Sequence, residues 1–300
     1  VETRSIPPAP APSAGALRQA PRRHSLVRRA SVRLAEGLAV ALGGRAYYRR
    51  RHLAPPGLQV RHERVEHAEL PPGLDGFRVV QLSDVHAGPF VREGDLARVV
   101  ELSNSLAPDL CVFTGDLITH APEEAGLVLA DLGRLRARHG VFGVFGNHDY
   151  RGRREAEIAR RFGERGMRFL RNEHVRLEVA GGALAVVGIE DLEEARQIDL
   201  ARAREGLRRQ DFELVLCHNP RGALVCARPR CLAVLSGHTH GTQLDLPWFR
   251  RAGPAHPGLR VELGDTVAIT SRGLGSIGLP LRIGAPTELV VLEFARGGRA

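Results

Sequence analysis

Lysine is absent from this chain: all 43 of its basic side chains besides histidine are arginine. Beside so much alanine and glycine, this reads as the coding bias of a GC-rich genome, so the number of arginines by itself says little about function. No uninterrupted apolar run reaches the roughly 18 residues that would mark a membrane-spanning helix. The four cysteines, Cys111, Cys217, Cys226 and Cys231, include no CxxC pair. Cys111 and Cys217 lie in apolar runs and read as small core residues rather than disulfide partners, which fits a reducing compartment. No internal repeat is present. Net charge is also nearly missing from most of the chain. Residues 1–65 carry thirteen arginines against Glu2, Glu36 and Glu63, a net +10, which leaves −1 for the other 235 residues of a chain whose total is +9. The basic character belongs to an N-terminal arm. A near-neutral body argues against nucleic acid as the main partner.

What is present divides at about residue 57. Residues 1–21 are rich in Pro and Ala, have little to build a core from, and are expected to be disordered. Leu26, Ala30, Leu34, Leu38 and Leu42 recur every four residues, with Arg29, Arg33 and Glu36 on another face, and predict an amphipathic helix over 25–42. Arg49-Arg50-Arg51 and Pro55-Pro56 are expected to end it. Residues 58–300 form the second domain. There, apolar runs at Phe77–Leu82, Leu110–Thr114 and Val141–Phe145 alternate with helical patterns at Arg92–Leu106, Pro122–Arg138 and Arg153–Arg165. That alternation predicts an α/β domain with a largely parallel buried sheet. The second half reads as a hairpin about Gly181-Gly182, strands at Leu214–Leu216 and Leu232–Leu235, and further strands around Gly and Pro turns. The predicted architecture is two stacked β-sheets sandwiched by helices.

Five of the apolar runs end on residues that can ligate metals: Asp84-Val85-His86, Gly115-Asp116, Gly146-Asn147-His148-Asp149, Cys217-His218-Asn219 and Gly237-His238-Thr239-His240. In parallel sheets ligands bind at the carboxyl ends of strands, which groups these segments independently of any family. Each is weak alone. A DxH is usually a capping Asp and a surface His, Gly-Asp usually a turn cap, and Asn and Asp after Gly are frequent in turns. Together they offer more ligands than one ordinary site takes and suit two divalent ions, with Asp116 able to bind both. Asp149 is expected to orient the adjacent His148 ring and favour its protonated form. The histidines at positions 24, 52, 62, 67, 120, 139, 174 and 256 lack such placement and read as surface residues.

These segments, in this order, resemble the calcineurin-like metallophosphoesterase family, over roughly Phe77 to Phe294. The resemblance implies a four-layer sandwich and a two-metal hydrolase of phosphoester bonds. It places Asp84, His86 and His240 on one ion, Asn147, His218 and His238 on the other, Asp116 between them, and His148 as catalytic acid. Mixed N and O ligation favours Mn, Fe or Zn over Ca²⁺ and Mg²⁺. Residues 271–282 look like a bacterial branch that includes membrane-associated phosphodiesterases and a UDP-2,3-diacylglucosamine pyrophosphatase. Two departures stand out: Thr242 replaces a usual glycine, and Thr119 replaces an Asp often found three residues after the bridging one.

The leading expectation is a phosphodiesterase or pyrophosphatase acting on a lipid-linked or membrane-proximal substrate. The alternatives are a soluble nucleotide or general phosphodiesterase, and a non-catalytic binding scaffold. Residues 22–51 could meet an anionic membrane surface, giving a cytoplasmic protein peripheral at the inner membrane, or the helix could simply pack on the domain. An export signal at Arg22-Arg23 ranks lower, because Glu36 and repeated Arg spoil its apolar region. Leu244–Phe249 with Gly273–Leu281 could form an apolar rim for acyl chains, or pack as core.

Overall fold

Strand-forming runs fall into two six-stranded sheets in the computed structural model, which describes residues 25–195, 197–245 and 256–298. The first sheet contains β1 (Gln59–His67), β2 (Arg78–Leu82), β3 (Leu110–Thr114), β4 (Val141–Val144), β5 (Met167–Phe169) and, last in the chain, β12 (Glu288–Arg296). Their spatial order is β1-β12-β2-β3-β4-β5, parallel throughout except where β12 meets β2. The second sheet holds β6 (Glu173–Val179), β7 (Gly182–Gly188), β8 (Phe212–Leu216), β9 (Cys231–Ser236), β10 (Arg260–Leu263) and β11 (Thr266–Thr270), in the order β10-β11-β9-β8-β7-β6.

The two-residue side-chain period of a strand explains why these sheets stack. Along β3, Leu110 and Val112 join one buried cluster while Cys111 and Phe113 join another. Along β8, Leu214 and Leu216 enter the first of these clusters, and Val215 enters a third. The shared cluster, drawing on both sheets, is the layer between them. The outer face of the first sheet is covered by α3 (Ala97–Ser105), α4 (Gly126–Leu132) and α5 (Glu155–Gly163), and that of the second by α6 (Leu200–Ala203) and α7 (Ala223–Cys226). The result is the sandwich expected from the sequence. Within the middle layer the buried Gln81 amide donates to Thr114 Oγ1 and to the Ser236 carbonyl, both at 2.9 Å, and so ties one sheet to the other.

The arm departs from expectation. The predicted helix is present as α1 (Leu26–Ala41), but Arg49–Arg51 do not end helical structure; they lie inside a second helix, α2 (Gly44–His52). Tyr48 of α2 is fully buried in the cluster behind the first sheet, and its hydroxyl donates to the Leu274 carbonyl at 2.7 Å. α1 sits with its apolar stripe outward. Leu34 is 77% and Leu38 60% exposed, whereas Glu36 is 2% exposed. The Glu36 carboxylate accepts from the Gly278 N–H at 3.0 Å and pairs with His120 Nε2 at 2.5 Å. A buried carboxylate held by two partners docks this helix, with the leucines left facing solvent. No helix among the described residues is long and apolar enough to cross a membrane. Residues 1–24, with the expected disorder and Arg22-Arg23, and Leu246–Phe249 lie outside the described residues.

Candidate metal centre

β2, β3, β4, β8 and β9 all end at one edge of the sandwich, and the chain turns sharply after each. At Asp84, His86, Asp116, His238 and His240 the backbone is left-handed, with φ of 49°, 47°, 57°, 71° and 53°. Residues other than glycine rarely adopt this region, and where they do, the surroundings must hold them there. Here neighbouring turns supply the hold: Asp84 N–H donates to the Gly115 carbonyl at 2.8 Å, and His86 N–H to the Asp116 carbonyl at 3.0 Å. Val85 between them points into the core, as its position in the DxH segment predicts. Gly237 allows a close approach of a different kind. A Cβ there would lie within 3.0 Å of both Ser83 Oγ and Asp84 Oδ2.

Two groups of donor atoms converge about Asp116. In the first, Asp84, His86, Asp116 and His240 are all buried, and one candidate ligand atom from each lies within 4.8 Å of the others. His86 Nε2 and His240 Nε2 are 3.0 Å apart, and Asp84 Oδ1 is 3.5 Å from His240 Nε2. In the second, Asn147 Oδ1 lies 3.2 Å from His218 Nε2 and 3.0 Å from His238 Nδ1, and those two nitrogens are 3.2 Å apart. Asp116 Oδ2 is 3.4 Å from both His86 Nε2 and His218 Nε2, and so stands between the groups. All seven residues proposed as ligands from the sequence therefore meet at one place.

The surrounding bonds aim these atoms. His218 Nδ1 donates to the Thr114 carbonyl at 2.7 Å, which leaves Nε2 facing Asp116 and Asn147. His238 Nε2 lies 3.3 Å from the buried Glu193 carboxylate, which turns Nδ1 toward the same point. Such outer partners set the tautomer and orientation of metal-binding imidazoles. The Asp84 carboxylate accepts from Ser83 Oγ at 2.6 Å and from His238 N–H at 3.0 Å.

The electrostatics test whether a cation fits. Burial drives the imidazoles of His86 and His240 well below the usual histidine range, so both are neutral. Burial raises Asp84 to about 6. For His218 burial opposes charging, but Asp116, Asp84 and Asp191 outweigh it and hold the ring well above the ordinary range. The chain alone thus balances its buried carboxylates with a proton on His218, while the Nε2 atoms of the neutral His86 and His240 rings lie at hydrogen-bonding distance, 3.0 Å apart. Carboxylate, amide and imidazole donors pointing at common centres are what divalent ions of intermediate softness require, and the residues fit such ions.

His148 lies beside the first group, with its ring edge-on to His86 and the ring centroids 4.7 Å apart. The expected partnership with Asp149 does not form. Asp149 Oδ1 accepts from the N–H groups of Leu117 and Ile118, and Oδ2 from that of Gly146, so its side chain braces loops. His148 is oriented instead by the Thr119 carbonyl, to which Nδ1 donates at 2.9 Å. Nor is the ring held protonated: burial lowers it to about 4. Two histidines read as surface residues are also placed differently. His52 is buried beside Tyr48, and His120 joins Glu36 to the site. Arg151, Glu193 and Glu36 surround the site without any local sequence signal. Arg151 Nη2 is 3.5 Å from His148 Nε2. Thr242 has φ of 72°, so it occupies a glycine-type conformation with a β-branched side chain.

Residues 77–242 match the family model described as calcineurin-like phosphoesterase. Among curated proteins, the "uncharacterized metallophosphoesterase YkuE" of Bacillus subtilis is 32% identical over 87% of this chain and 93% of its own length. The "transmembrane protein with metallophosphoesterase domain" of Bos taurus is 31% identical over 74% of the chain. Its counterpart in Danio rerio is 33% identical over 76%. The matches span only 54% and 55% of those two longer proteins.

Proposed function

This chain belongs to the calcineurin-like phosphoesterase family and is a metal-dependent phosphoester hydrolase; from that premise we propose that it is a two-metal phosphodiesterase or pyrophosphatase acting on a lipid-linked or membrane-proximal substrate. The observation that supports two ions is the pair of donor groups sharing Asp116 Oδ2. Asp84, His86 and His240 would hold one ion, Asn147, His218 and His238 the other, and Asp116 both. Mn, Fe or Zn suits this mixed donor set. When bound, such ions neutralise phosphate charge and lower the pKa of water near the phosphorus.

The chain's own residues do the rest. The bond from His148 Nδ1 to Thr119 fixes the ring and turns Nε2, which Arg151 Nη2 approaches at 3.5 Å, toward the substrate. The ring is neutral in the free protein because burial lowers it to about 4. An arriving phosphate anion favours its charged form, so protonation accompanies substrate binding and the proton is then available to the departing oxygen. Burial of the surrounding side chains strengthens each of these charge interactions.

The membrane-proximal reading rests on α1. A stripe of exposed leucines flanked by Arg28, Arg29 and Arg33 suits the surface of an anionic bilayer. Exposed Leu279, Leu281 and Ile283 lie on the loop that Glu36 grips through Gly278. This apolar surface is joined to the centre through Glu36, His120 and Arg151. The Mn²⁺-loaded protein should hydrolyse bis-p-nitrophenyl phosphate and lose that activity on Asn147→Ala; full activity of the variant would overturn the metal assignment. The protein should also sediment with phosphatidylglycerol vesicles. Leu34→Asp/Leu38→Asp should abolish that sedimentation, and unchanged sedimentation would overturn the role of the stripe.

A further inference from the structure

A guanidinium is costly to desolvate, and one placed at the edge of a site without a carboxylate partner is poised for an anion. Arg151 is such a group. It is half-buried, and its side-chain contacts are the Thr119 carbonyl, His120 Nδ1 at 3.4 Å and His148 Nε2 at 3.5 Å. None of these carries a full negative charge, and among the described residues no carboxylate pairs with it at close range; Asp116, Glu124 and Glu194 act on it only from farther off. The residues that hold it are themselves fixed. Thr119 Oγ1 donates to the His86 carbonyl at 2.8 Å, and His120 is clamped by buried Glu36 from α1.

His86 packs edge-on to the His148 ring, 4.7 Å between centroids, and Arg151 approaches the same ring at Nε2. A phosphoryl group over the metal ligands and an anion on Arg151 would therefore both lie next to His148. We propose that Arg151 binds a second phosphate of the substrate, the one that departs, so that this site is built for pyrophosphate diesters in preference to simple diesters. The inference rests on the hydrolase reading above and narrows it. In the reaction, water adds to the phosphorus over the metal ligands and gives up one proton to solvent, from which His148 is later reprotonated, and the bond from that phosphorus to the bridging oxygen breaks, leaving a phosphate monoester on each side. The proton on His148 Nε2 goes to the bridging oxygen, and the second phosphate leaves as a monoester whose charge Arg151 has neutralised. A planar fork of N–H donors fits two phosphate oxygens at once, which a lysine could not do.

The test compares ADP-ribose, a pyrophosphate diester, with bis-p-nitrophenyl phosphate, using the Mn²⁺-loaded protein. Loss of a charge-assisted contact predicts that Arg151→Gln lowers kcat/KM for ADP-ribose by about 10- to 100-fold, chiefly through KM, and by at least about tenfold more than for the simple diester. Arg151→Lys should recover part of that loss. Equal losses on both substrates, or none on either, would overturn the proposal. Calorimetric binding of methylenebisphosphonate decides the matter without turnover. Arg151→Gln should weaken it by about tenfold or more relative to methylphosphonate, and equal weakening of the two would overturn the proposal. Wild-type protein that binds the bisphosphonate through Arg151 but hydrolyses neither ester would refute the hydrolase reading instead.

Discussion

Gly237→Ala adds one methyl group and isolates the architecture of the site. Gly237 does not have a left-handed φ, so alanine is tolerated by the backbone and any effect comes from the space its Cβ needs. That atom would lie closer than 3.0 Å to Ser83 Oγ and Asp84 Oδ2. Neither can move freely. Asp84 is fully buried, with its carboxylate held by Ser83 Oγ and the His238 N–H. Overpacking of this kind costs about 1–3 kcal/mol. Displacing a ligand's hydrogen-bond partners weakens metal binding by roughly 10- to 100-fold. Titration calorimetry with Mn²⁺ should show that loss, and thermal unfolding should show a midpoint lower by several degrees. Ser83→Ala combined with Gly237→Ala relieves one of the two clashes and should recover part of the stability while Mn²⁺ affinity stays low. Wild-type Mn²⁺ affinity in the single variant would refute the claim that Asp84 reaches its place only because position 237 lacks a side chain.

Other perturbations probe other parts. His148→Ala should slow turnover of bis-p-nitrophenyl phosphate by about 100-fold or more while metal content, measured by elemental analysis, is retained; loss of metal would contradict its role as acid. Burial, with Arg282 and Arg51, lowers His52 to about 4. Between that value and the ordinary 6.5 the folded protein binds fewer protons than the unfolded chain, so its stability is complete above 6.5 and falls as pH drops through that window. Allowing for partial solvation, about 1–2 kcal/mol should be lost, and urea unfolding of His52→Leu should show a smaller acid-side decline. Thr242→Gly removes a β-branched residue from a left-handed position and should raise stability by about 1 kcal/mol, read from the same urea curves.

The strands that carry the site were legible because fully buried strands read as short apolar runs, and β3 begins and ends where its run does. β1 was missed because it alternates polar residues, Gln59, Arg61 and Glu63, along a sheet edge. β5 is only three residues long. The donor residues were legible as a set because each follows its strand directly in the chain. Glu193 and Arg151 act through proximity made by folding, and sequence spacing holds no trace of it. Asp149 misled because neighbours in sequence need not face each other; in a tight turn His148 points into the site and Asp149 back into the loops. The α1 pattern fixed helix and stripe, but burial of apolar residues was the wrong rule for its docking face, where one carboxylate with two partners prevails.

The donor atoms come from both sheets, and His86 and His240, 154 positions apart, bring their nitrogens to 3.0 Å. All four cysteines are free, so no covalent bond closes any of these long loops. An ion held as proposed between strand ends of opposite sheets would then be a removable cross-link. Closing a loop of that length by a covalent bond restrains the unfolded chain by on the order of 5 kcal/mol, and coordination from both sheets restrains it in the same sense. Chelation should therefore loosen the seam between the sheets first, exposing the backbone amides of the strand ends to hydrogen exchange before those of the strand centres.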